Sequence, residues 1–144
     1  MDATDPLILA DGLRAPLLRV SRRLRQEAQK AGASALDALI LGQIKRCPGI
    51  GVSDLAEAEQ MSRPSMSGHV KRLEAAGWIV RDQSADDGRR SGFQVTPSGA
   101  AQIDAIRQRR NDWLAVRLAR LSPAARAALA AAQEPLLELL SIDA

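Results

Sequence analysis

The stretch SDLAEAEQMSRPSMSGHVKRLEAAGWIVRDQSADDGRRSGFQV (53–95) decides how the rest of the chain is read. It divides into a short helix, a turn, a second helix and two short strands around a polar loop. SDLAEAEQ (53–60) has Ser53 as its expected N-cap, with Leu55 and Ala56 facing inward. SRPSMSGHVKRLEAAG (62–77) has Ser62 as cap and Pro64 in the first turn, where a missing N–H does no harm. Met66, Val70 and Leu73 recur at helical spacing and predict one buried stripe. Gly77 fits a left-handed C-terminal cap. Off the stripe lie Arg63, Ser65, Ser67, Gly68, His69, Lys71 and Arg72. Short polar and basic side chains of this kind hydrogen-bond base edges and phosphates in a major groove.

After Gly77 the pattern changes from helical to alternating. WIVRD (78–82) and GFQVT (92–96) predict strands, and QSADDGRRS (83–91) between them carries Asp-Gly, a hairpin signal. Arg89 and Arg90 follow that turn, at the tip of the ribbon. Helix, turn, helix and basic-tipped hairpin make a winged helix-turn-helix. RLEAAGWIVR (72–81), the Asp-x-Arg of Asp87 and Arg89, and VTPSG (95–99) resemble the MarR family of bacterial transcription regulators. The spacing between these blocks matches without a gap, and the resemblance covers nearly the whole chain.

That resemblance implies a mainly α fold with a small β-hairpin, dimerised through its first and last helices. It implies that Arg63, Ser65, Ser67, His69 and Arg72 enter or border the major groove of double-stranded DNA. Lys71 belongs to the same outer face. In the hairpin, the Asp87 carboxylate can hold the Arg89 guanidinium in one orientation for the minor groove. Arg90 is the expected phosphate contact. One departure is Gly68, where many relatives carry a long side chain. A mid-helix glycine costs about 1 kcal/mol against alanine. It allows close approach to DNA or leaves a base unread.

Composition agrees with helices. The 144 residues are 46% hydrophobic and only 2% aromatic, so the core is built from Leu, Ala, Ile and Val. A net charge of +3 permits a nucleic-acid partner without demanding one. Its placement says more, because the basic residues of 61–92 gather on the second helix and the hairpin tip.

Outside the central stretch, residues 6–31 predict a helix with Leu13, Leu17, Val20 and Leu24 on one face. Pro16 predicts a bend there or a start near Ala15. Residues 35–46 predict a second helix burying Leu36, Leu39, Ile40 and Ile44, and Ile50–Val52 a short strand beside the hairpin. Residues 98–121 predict one long, strongly basic helix. Ser122 then caps a last helix carrying Leu129, Leu136, Leu137 and Leu140, with a kink expected at Pro135. The organisation expected is a dimerisation helix in 1–34, a winged helix-turn-helix in 35–97 and dimerisation helices in 98–144, within one integrated domain. A lone arm cannot bury a face of leucines, whereas a second copy covers it.

Other chemistry finds little support. Cys47 is the single cysteine, so no intramolecular disulfide forms, and its place after a helix C-terminus disfavours a reactive thiolate. His69 is the single histidine, which leaves no metal site and no Ser–His–Asp arrangement. GIG (49–51) is too short for a phosphate loop. No catalysis, cofactor or membrane segment is expected, and the expected location is the cytoplasm. The reading is a homodimeric regulator at a pseudo-palindromic operator, with repression the expected outcome. Resemblance further implies release by a small effector, often an anionic aromatic, with Arg14, Arg19 and Arg107 as possible partners of its carboxylate. The alternatives are a protein–protein docking module and a nonspecific architectural DNA binder.

Overall fold

The computed structural model describes residues 2–82 and 92–143. Its elements run α1 (Pro6–Lys30), α2 (Ala35–Arg46), α3 (Val52–Ala58), α4 (Arg63–Ala75), β1 (Ile79–Asp82), β2 (Gly92–Val95), α5 (Pro97–Leu118) and α6 (Pro123–Ser141). The mainly α fold with one antiparallel hairpin is the one the sequence predicts. Contacts divide the chain into two compact units, one through Arg110 and one from Asn111.

In the first unit, Asp5 starts α1 by accepting from the N–H groups of Leu7 and Ile8. The helix then runs unbroken past Pro16, against the expectation of a start near Ala15. Pro16 has no N–H to offer the Gly12 carbonyl, and both residues are exposed. α2 opens on a reciprocal cap, with Ser34 accepting from the Asp37 N–H and Asp37 from the Ser34 N–H. It buries Ile40, Leu41 and Ile44. Leu39 is 54% exposed, which corrects its place in the buried stripe. Leu41, two residues on and so on the other side of the helix, takes the inward direction instead.

α3 begins at Val52 with Gly51 as N-cap and no side-chain cap, so Ser53 does not cap it. The cause lies just upstream. The Gly49 N–H donates to the Phe93 carbonyl and the Phe93 N–H to the Ile50 carbonyl, both at 2.9 Å. The backbone therefore pairs with β2 up to Ile50 and turns into helix at once. The strand expected at Ile50–Val52 is reduced to this pairing, and among the described residues the sheet holds β1 and β2. Gly92 is required beside it, because a Cβ there would lie 1.9 Å from the Gly49 carbonyl oxygen.

The hairpin pairs Ile79 with Val95 and Arg81 with Phe93. Phe93, the single phenylalanine, is fully buried among Ile40, Leu41, Ile44, Leu55, Met66, Val70 and Leu73. The VTPSG block has a mechanical reading here. The Thr96 hydroxyl donates to the Gly77 carbonyl at 2.6 Å and accepts from the Gly99 N–H at 3.0 Å, so one side chain joins the end of α4 to the start of α5. Pro97 is the first residue of α5. At Gly99 a Cβ would meet the Trp78 carbonyl oxygen at 2.0 Å.

The second half of α1 joins α5 through Ala28, Ala33 and Ile106. Gln102 donates to the Ala31 carbonyl at 2.8 Å and Arg110 to the Leu24 carbonyl at 3.1 Å. The first half of α1 buries nothing.

In the second unit, the Arg117 guanidinium stands 4.1 Å from the Trp113 ring centroid. Arg126 closes the turn into α6 by donating to the Leu118 and Leu121 carbonyls at 3.3 and 2.7 Å. Ser122 caps α6, as its sequence predicts, and Pro135 lies inside one continuous helix. α6 buries no residue.

Candidate nucleic-acid interface

The geometry of the helix-turn-helix is set between α3 and α4. Gln60 takes a left-handed φ of 52° and the Met61 N–H returns to the Ala56 carbonyl at 2.8 Å. The chain then enters α4 through Ser62, whose hydroxyl accepts from the Ser65 N–H at 3.3 Å. Met66, Val70 and Leu73 are buried to 1% exposure or less and fix the rotation of α4 about its axis. Arg63, Ser65, Gly68, Lys71 and Arg72, off that stripe, are thereby turned outward.

Arg63, Ser65, Lys71 and Arg72 are exposed, and Ser67 and His69 are half-buried. Gly68 is exposed with nothing within 4 Å of the position a Cβ would take. The Nδ1 atom of His69 is enclosed and has no hydrogen-bond partner among the described residues. Arg72 is engaged already, since its Nη2 donates to Asp37 Oδ1 across to α2.

On the hairpin, the Arg81 guanidinium lies 5.1 Å from the Phe93 ring centroid, with Glu74 Oε1 3.5 Å from its Nε. Gln94 donates to Asp82 at 3.4 Å. The expected tip residues Asp87, Arg89 and Arg90 lie outside the described residues.

Two acidic residues not singled out in the sequence prove structural. Asp37 serves both the α2 cap and Arg72. Glu27, 7% exposed on α1, accepts from Lys30 at 2.9 Å and lies 4.0 Å from Arg109 of α5. The hydrogen bond from Lys30 holds its carboxyl below the usual carboxylate range. Burial opposes this, while the charges of Lys30, Arg109 and Arg23 reinforce it. The only signal in the sequence is the Glu27–Lys30 spacing, which any solvated helix also shows.

A groove of about 480 Å³ lies beside α1 and α2, lined by Leu17, Val20, Ser21, Leu24, Arg25, Ala35, Leu39 and Arg110. Leu39 is one of the residues that line it. Its arginines are Arg25 and Arg110, rather than Arg14, Arg19 or Arg107. Among the described residues no three His, Cys, Asp or Glu side chains gather as a metal site, and no helix is long and apolar enough to cross a membrane. Cys47 is exposed, 3.9 Å from Gln43 Nε2.

A capped helix with a polar and basic outer face, seated on a helix-turn-helix core and followed by a hairpin, defines a winged-helix DNA-binding protein. The model of the MarR family matches residues 34–91. A helix-turn-helix transcriptional regulator of Mycobacterium tuberculosis is 31% identical over 132 residues, 92% of each chain. A crystal structure of a Pseudomonas aeruginosa protein described as a transcriptional regulator superposes with a TM-score of 0.82 at 31% identity, covering 99% of this chain and 100% of that one. A mutant of Staphylococcus aureus MepR bound to an oligodeoxyribonucleotide shares the fold, with a TM-score of 0.70 at 21% identity over 92% of this chain and 97% of that one. The chain belongs to the MarR family of transcription regulators.

Proposed function

We propose that this chain is a homodimeric repressor that reads a pseudo-palindromic operator. α4 enters the major groove and the hairpin tip, with Asp87, Arg89 and Arg90, follows the minor groove. The observation that carries the reading is the open polar face of α4, held in rotation by three buried side chains on its opposite side. Arg63, Ser65, Ser67, His69 and Lys71 then present donors to bases and phosphates. The dimer is supported by leucines that stay exposed among the described residues. Leu7, Leu13 and Leu17 on α1 are exposed, as are Leu136, Leu137 and Leu140 on α6, the last at 85%.

Release by an effector is supported by the groove beside α1 and α2. Aliphatic walls with Arg25 and Arg110 suit a small apolar anion. Such a ligand acts only through its different affinity for the DNA-bound and free conformations.

Fluorescence anisotropy on the duplex upstream of the chain's own gene, against a scrambled duplex of equal length, tests the reading. A preference of about a thousandfold is expected of a specific regulator. Equal binding to both is the result of an architectural binder, and no binding to either is that of a docking module.

A further inference from the structure

Arg72 stands apart from the other cations of α4. Among the described residues it is the α4 cation that meets a carboxylate, while Arg63 and Lys71 have no ion pair. That carboxylate belongs to Asp37, 35 residues earlier, in the first turn of α2. The Asp37 side chain is only 10% exposed, and its second oxygen is used by the Ser34 N–H. A carboxylate so enclosed is costly unless a cation stays with it. Moving Arg72 onto a phosphate would strip Asp37 of that cation and leave a negative charge behind the DNA-facing helix. The pair is neutral as it stands, so it offers DNA no net charge.

We infer that Arg72 is a positioning residue for DNA binding, tying α4 to the start of α2 through Asp37, and does not neutralise a phosphate. The inference rests on the reading of α4 as a DNA-facing helix. It gives the Arg of the RLEAAGWIVR block a task different from that of Lys71 beside it. Lys71 is exposed and unpaired among the described residues, and it acts on DNA by charge.

The test is a salt series of anisotropy titrations with the full chain on the upstream and scrambled duplexes. It compares wild type, Arg72→Ala, Asp37→Asn, their double variant and Lys71→Ala. Asp37→Asn keeps the shape and an acceptor for the Ser34 N–H, so it guards against simple unfolding. Each of Arg72→Ala and Asp37→Asn is expected to weaken upstream-duplex binding about tenfold, and the double variant no further, as for directly coupled residues. The slope of log affinity against log salt stays at the wild-type value in Arg72→Ala, whereas Lys71→Ala loses about 0.9 of slope, one phosphate contact. The sign of Asp37→Asn is telling. Removing a negative charge near DNA tightens binding by charge alone, so weakening marks positioning.

A shallower slope in Arg72→Ala, tighter binding by Asp37→Asn, or additive losses in the double variant would overturn the inference and leave the DNA-binding reading intact. Wild-type protein that binds neither duplex would overturn both.

Discussion

α4 and α6 are both capped by a serine with proline in the first turn, yet they use their apolar residues in opposite ways. α4 buries Met66, Val70 and Leu73 within its own chain. α6 carries five leucines and buries none of its residues. The lobe of α2, α3, α4 and the hairpin is a finished core around Phe93. Among the described residues, the first half of α1 and the whole of α6 bury no residue. A small core around a single phenylalanine thus specifies the binding unit, while the arms leave their apolar residues exposed. Under the proposed function this arrangement couples dimerisation to DNA reading, because two α4 helices meet two half-sites only when the arms of two copies have met.

The comparison breaks most severely at its two leucines. Leu73→Ala is expected to destabilise the lobe by about 3 kcal/mol, the scale of a buried leucine truncation, with a urea midpoint independent of protein concentration. Leu137→Ala is expected to give a loss that grows on dilution, because it acts through association. If the two losses depend on concentration alike, lobe and arms are not distinct in the way described.

Arg89→Ala comes next. It is expected to weaken upstream-duplex binding by about tenfold, the lower end of a specific contact, with an unchanged sedimenting mass. Unchanged affinity would remove the hairpin tip from the interface and leave α4 alone.

At the seam where α1 meets α5, Glu27 gives a pH signature. Its carboxyl is held below its ordinary range in the folded chain, chiefly by Lys30. Its stabilisation is therefore present above the unfolded carboxylate range and lost as pH falls through the lowered folded value. Glu27→Gln is expected to lower the melting temperature at neutral pH and to flatten the decline on the acid side. A variant with the wild-type acid profile would show that Glu27 carries none of it.

The smallest effect is at Gly68, where a methyl group meets open space. Gly68→Ala is expected to stabilise the lobe by up to about 1 kcal/mol. If the same change weakens DNA binding, the glycine serves close approach of α4 to the duplex. If binding is unchanged, it leaves a base unread.

Much of the lobe is legible in the sequence because periodicity carries it. Met66, Val70 and Leu73 mark α4, Ser62 and Gly77 bracket it, and the alternating residues after Gly77 mark the hairpin. Contiguous apolar runs are less informative. In ALDALILGQI the period does not decide between Leu39 and Leu41, and Leu41 is the one that packs into the core around Phe93. Local cap rules failed at Ser53 because pairing of Gly49 and Ile50 with Phe93, a long-range contact, moved the start of α3. Of the two outcomes expected at Pro16, the start near Ala15 is overturned, because the Asp5 cap begins the helix well before it. Of the candidate site, the outward set on α4 was readable from helical spacing. The Arg72–Asp37 pair was not, since no local pattern links residues that far apart.

Sedimentation velocity on wild type and on Leu137→Asp, each followed by a circular dichroism melt, tests the division between lobe and arms most directly. Wild type is expected to sediment with the mass of two chains, twice 15.4 kDa. Leu137→Asp is expected to sediment as one chain, whose remaining cooperative melt belongs to the lobe. A wild-type protein that sediments as a single chain would contradict it, as would a Leu137→Asp variant that remains a stable dimer.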